Sequence, residues 1–228
     1  MLLMATGCGT APAPTETHFE LPRGGVETAL TDRDVDTFLK LLQRLPGGQA
    51  PEFAECDLPT LNGGPQLPQE VEELRQAMRL ALLPERQVQH WQSSASLQTA
   101  FERLHVDPQA FAALTLRVSC AWSALTIPVE TRTIETRRRL DLQIIELTRR
   151  LERETGTGWE CSQKRQVLEE LVALSEFLRL IESVPEQSLQ TVAAHQTALR
   201  DVLPPSTLGQ ISAGRSERGA IQPTAWHR

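Results

Sequence analysis

The chain is 228 residues long and sets 23 Lys and Arg against 29 Asp and Glu, a formal net charge of −6 at pH 7. That balance argues against a nucleic-acid partner, which would need a basic face, and 4% aromatics with no tyrosine argue against base-stacking platforms and a β-sandwich core. Hydrophobic content is 40%, enough to bury a core without a metal or disulfide staple, and no apolar run is long enough for a transmembrane helix.

The chain begins Leu2-Leu3-Met4, then Ala5-Thr6-Gly7-Cys8. The latter four residues resemble the lipobox of bacterial lipoproteins, where a small residue precedes a cysteine that becomes lipidated and N-terminal after cleavage. The resemblance covers residues 1–8. It implies Cys8 as the lipidation site, the membrane as a partner through that lipid, and a location in the cell envelope. The small, proline-spaced run from Gly9 to Thr17 suits a flexible tether. A secretion signal needs a basic region and an apolar run of about 7–15 residues. Only seven uncharged residues precede Cys8, so this reading places Met1 inside a longer signal. Residues 1–30 are expected to be signal remnant and tether, and 31–205 the helical domain.

Thr31-Asp32-Arg33-Asp34 offers a cap and two acids ahead of Val35, Phe38, Leu39, Leu42 and Leu45, which predicts a short amphipathic helix. Pro46-Gly47-Gly48 stops it. Residues 46–67, rich in Pro and Gly, read as a long loop, either functional or mobile. Helices resume at Pro68, with Val71, Leu74, Met78 and Leu82 on one face, and at Pro84, in a more polar run to His105. Asp107-Pro108 is a strong helix start, followed by Phe111, Leu114, Val118, Trp122 and Leu125 at helical spacing. Pro128 breaks that helix, because Ile127 is pushed out of the helical region.

The longest helix is expected from about 129 to 154, ended by Thr155-Gly156-Thr157-Gly158. Val167, Leu171, Leu174, Leu178 and Ile181 then form a heptad seam. It is too short for a coiled coil and reads as internal core. Val184-Pro185 turns the chain into a last helix that Pro204-Pro205 stops, and residues 206–228 read as a disordered tail. Short connections make the helices of 108–203 antiparallel neighbours. The fold class is therefore all-α, an antiparallel up-down helical bundle with additional N-terminal helices.

Chemistry-bearing motifs are sparse. Glu102 and His105 spell Glu-x-x-His, a spacing that puts both side chains on one helical face. A di-metal site needs a second such pair, and the sequence has none. Cys161 precedes a helix, where a thiol can be activated, and His195 is its candidate base, but nothing in the sequence joins them. Cys56, Cys120 and Cys161 leave disulfide pairing open. Arg137-Arg138-Arg139, Arg149-Arg150 and Arg153 alternate with acids at i,i+3 and i,i+4 spacing, which reads as a solvated, ion-paired face. Trp91, Trp122 and Trp159 read as core or core-edge residues. No catalytic, cofactor or metal residue is assigned.

Two readings follow. The first is a non-enzymatic, lipid-anchored envelope protein whose bundle is a structural or interaction module with an unidentified protein partner. The alternative is a cytoplasmic helical enzyme, metal protein or adaptor without an anchor, with Cys161, His105 or His195 doing any chemistry.

Overall fold

The structure, a computed structural model, describes residues 19–53, 58–154 and 158–203. Cys8 with its lipobox-like surroundings, Cys56, and the tail expected at 206–228 lie outside the described residues. Within the described residues the regular structure is entirely helical, so the domain is all-α.

Local chemistry sets where the helices begin. Helix α1 (Asp32–Leu42) opens on a capping box: Thr31 Oγ1 accepts from the Asp34 amide at 3.3 Å, and the Thr31 amide donates to Asp34 Oδ2 at 2.9 Å. Two amide donors of the first turn are thereby satisfied. After a single 3-10 turn at Pro46–Gly48, α2 (Leu67–Ala81) carries Pro68 in its first turn and α3 (Pro84–Trp91) starts on a proline, where the missing N–H would be unpaired anyway.

The polar run expected from 84 to 105 is two helices, since the chain breaks at Ser93-Ser94 before α4 (Ala95–Leu104). His105 ends α4 in the left-handed region at φ 50°, ψ 41°, while the Val106 amide reaches back to the Phe101 carbonyl at 3.0 Å. That is the usual left-handed helix stop, here made without glycine.

Helix α5 (Pro108–Thr126) is capped by Asp107 and ends at extended Ile127 ahead of Pro128. The next helix, α6 (Ile134–Arg153), starts later than the expected 129, because the Thr133 hydroxyl caps the Thr136 amide at 3.2 Å and fixes the first turn there. Helix α7 (Trp159–Glu182) follows, then α8 (Glu186–Ala194) and α9 (Gln196–Val202), which break the expected last helix at His195.

Helices α6 and α7 form an antiparallel hairpin. Arg137, near the start of α6, hydrogen-bonds Glu182 at the end of α7, while Glu154, just past α6, holds Lys164 at the beginning of α7. Helix α2 packs on this pair, and Leu67, Val71, Leu74, Ile144, Leu151, Leu168 and Val172 form one core between the three. A second, larger core gathers around α5. It takes Val35, Phe38 and Leu42 from α1, Trp91 from α3, Phe101 from α4, and Val192 and Leu199 from α8 and α9. Four aromatic rings meet in it, with Phe111 at 6.2, 5.8 and 5.6 Å from Phe38, Trp91 and Phe101, separations at which ring pairs attract.

The described parts of the connection, 46–53 and 58–67, contact both cores. Leu61 is buried among α2, α6 and α7, its amide facing Glu169 at 3.4 Å, and the Trp91 indole donates to the Glu52 carbonyl at 2.8 Å. Glu70 accepts from the amides of Asn62 and Gly63 at 2.8 and 3.2 Å, which fixes the turn ahead of α2.

Candidate functional site

Two cores that meet along α5 and α7 leave a space between them. An apolar cleft of about 410 Å³ opens there, within the size range of small-molecule sites. Its floor is Ala113 and Leu116 of α5; one wall is Ala173, Leu174, Phe177 and Leu180 of α7. The end of α2 and the turn into α3, with Met78, Leu82 and Leu83, form the other. Small residues account for the room: Ala113 and Ala173 lie where larger side chains would close the gap.

The expected seam of α7 bears on this cleft. Leu178 and Ile181 are buried, but Val167 and Leu174 are 47% and 38% exposed, and the line facing α2 and α6 runs instead through Leu168 and Val172. The seam is therefore only partly core, because α2 and α6 cover a face of α7 offset from it and Leu174 turns into the cleft.

The fourth side of the cleft is chain rather than helix. Residues 24–27 line it, and the strap from Phe19 to Leu30, expected to belong to a loose tether, is pinned to the domain. Arg117 of α5, 2% exposed, donates to the carbonyls of Thr28 and Ala29 at 3.2 and 2.7 Å. On the far side the Leu30 amide donates to Ser188 Oγ at 2.9 Å, and Thr191 Oγ1 donates to the Leu30 carbonyl at 3.3 Å. A Cβ at Gly24, whose φ is +152°, would collide with the Thr28 side chain, so the strap's turn requires glycine there.

Charge collects at the cleft's edge. Glu176, with a side chain 6% exposed, lies within reach of three guanidinium groups: Arg79 at 2.8 Å, Arg75 at 3.5 Å and Arg179 at 4.0 Å. The hydrogen bond to Glu176 pushes the Arg79 pKa up despite partial burial. Arg75 also binds Asp141 at 3.1 Å, and Asp141 accepts from Ser175 Oγ at 2.7 Å. The network ties α2, α6 and α7 together beside an apolar surface.

The residues singled out in the sequence do not converge. Cys161 contacts Glu154 Oε2 at 3.6 Å on the first turn of α7. The ammonium of Lys164, hydrogen-bonded to Glu154, holds that carboxyl below its ordinary value and is itself raised by it. His195 lies between α8 and α9, with Nδ1 2.9 Å from the Thr191 carbonyl and Nε2 3.4 Å from Asp36. No hydrogen bond joins it to Cys161. Glu102 and His105 are exposed at the end of α4, and among the described residues no three His, Cys, Asp or Glu side chains cluster as a metal site would require.

Cys120 is fully buried in α5, and burial pushes its thiol up to about 12; it and Cys161 are both free thiols. Trp91 and Trp122 are core residues as expected, but Trp159 is 69% exposed because it opens α7 at the surface. The arginine face of α6 carries i,i+4 pairs from Arg137 to Asp141 and from Arg150 to Glu146. Arg137 also crosses to Glu182 of α7, so part of that face is structural. The sequence reading missed Arg117 and Glu176, which are single charges within apolar stretches. Comparison of the chain with protein-family models, with curated proteins and with solved structures gives no match.

Proposed function

We propose that this protein is a non-enzymatic interaction module, a helical domain that takes an apolar group into the cleft between its two cores, and that a lipid on Cys8 holds it at the cell envelope. The cleft carries the binding half of this reading: a concave, largely apolar surface bordered by a few charged groups is the usual form of a ligand site. Cys161 and His195 each engage different partners, Glu154 and the Thr191 carbonyl.

The anchoring half rests on the lipobox-like residues and is tested in cells. Protein expressed from its native locus, upstream DNA included, is partitioned between detergent and aqueous phases beside a Cys8→Ser variant. Wild type entering the detergent phase while the variant stays aqueous is the expected outcome. Both staying aqueous would remove the anchor and the envelope location, leaving the cytoplasmic reading.

A further inference from the structure

The cleft's dimensions and edge chemistry narrow its occupant, taking the interaction-module reading as the starting point. We propose that it binds a single acyl chain bearing an anionic head, with the chain between α5 and α7 and the head at Arg79 and Arg179.

At about 410 Å³ the cleft has the size of a small-molecule site. Ala113, Leu116, Leu174 and Phe177 give an acyl chain apolar contact from both cores.

The edge keeps unused donors, although its charge is shared: Asp141 takes Arg75, and Glu72 acts on Arg79. Glu176 is one carboxylate facing three guanidinium groups. Arg79 spends Nε and Nη2 on it. Arg179 stands at 4.0 Å, beyond hydrogen-bond distance, and its guanidinium makes no hydrogen bond among the described residues. A guanidinium is a donor only, with five N–H groups in a fork that suits a carboxylate or phosphate. Both arginines line the cleft and are nearly half exposed, so their free N–H groups can meet a head from solvent. Glu27, the strap's acid that lines the cleft, is exposed and acts on Arg117.

The test uses the full chain carrying Cys8→Ser, so its outcome is independent of anchoring. Titration calorimetry with dodecanoate, kept below micelle-forming concentration, is expected to give saturable one-to-one binding. Ala113→Phe and Ala173→Phe, which fill the cleft from opposite helices, should each weaken it at least about tenfold. Arg179→Gln should weaken dodecanoate about tenfold, the loss of one charge-assisted contact, and leave 1-dodecanol unchanged.

Should both phenylalanine variants melt early, hydrogen exchange on the unaltered chain decides. Dodecanoate should slow exchange at residues 24–28 and 174–183, and protection elsewhere alone would overturn the site. Absence of saturable binding would overturn the proposal, as would equal affinity in folded Ala113→Phe and Ala173→Phe. Dodecanoate binding that is indifferent to Arg179→Gln would overturn the anionic head.

Discussion

Replacing Arg117 by methionine tests whether the strap is held by that one buried guanidinium. Methionine keeps the length and apolar stem of the side chain, so the change removes charge and donors with little loss of packing. Two bonds from a charged donor, at 3.2 and 2.7 Å to the Thr28 and Ala29 carbonyls, are worth about 1.5–3 kcal/mol each. Against that stands the cost of the buried charge. Burial depresses the Arg117 pKa, Nη1 has no partner among the described residues, and Asp34 is 3.8 Å away. Relief of that unsatisfied donor returns about 1–3 kcal/mol. Asp34 keeps its place in the α1 capping box, so no new orphan appears at that end. The net expectation is a loss of about 2–3 kcal/mol, a fall in melting temperature of roughly 5–10 °C for a domain of this size. Thermal melts followed by circular dichroism, with urea titrations to supply the free energy, make the measurement. Native-state exchange should show the Leu30 amide opening before the α5 core. A variant as stable as wild type would mean that the guanidinium's burial costs as much as its bonds contribute, and the strap would have to be held by Ser188 and Thr191 instead.

Three further outcomes are expected. Glu176→Gln leaves Arg75, Arg79 and Arg179 facing a neutral group, and should destabilise by about 2–3 kcal/mol, read as a shift in urea midpoint without a change in slope. Thr31→Ala removes the reciprocal cap of α1 and should cost about 1 kcal/mol. The Cys120 thiol, raised by burial to about 12, stays protonated in the folded chain while the unfolded thiol titrates near 9. Its contribution is therefore full below about pH 9 and is lost as pH rises toward 12, at about 1.4 kcal/mol per pH unit. Cys120→Ala should flatten the alkaline fall of stability in that window, and iodoacetamide at pH 8 should reach Cys161 but spare Cys120 until the protein is unfolded.

The helices were legible in the sequence where local chemistry decides them. The Thr31 and Asp107 caps, the prolines at 68, 84 and 108, and the break before Pro128 all act within a few residues. The errors fall where tertiary contact overrides local pattern. Periodicity put one face of α5 into the core, yet fourteen of its 19 residues are buried, among them Thr115, Arg117 and Ser119. A helix enclosed by α1, α3, α7 and α8 has no outer face to be polar, and pattern analysis presumes one. The heptad seam of α7 misled for the opposite reason. Its leucines share a stripe, but which stripe α2 and α6 cover depends on the packing of three helices, and the covered one runs through Leu168 and Val172.

The cleft was illegible because no segment encodes it alone. It exists because α5 serves one core with Phe111, Leu114 and Val118, while its neighbours Ala113 and Leu116 face the other group of helices. Had residue 113 been leucine and residue 173 phenylalanine, the helical pattern would read the same and the two cores could fuse into one. Closing the gap would bury more apolar surface, at about 25 cal/mol per Å², so packing alone does not favour keeping it open. Nor does the fold need the Arg179 guanidinium at the cleft's edge. Arg75 already joins Glu176 to Asp141, whereas Arg179 adds a charge at 4.0 Å that no hydrogen bond secures. An open apolar space is a cost to a domain that only has to stay folded, and the half-exposed guanidinium of Arg179 beside it adds no hydrogen bond to the fold among the described residues. They are what a site needs if it is to receive an apolar chain with a charged end.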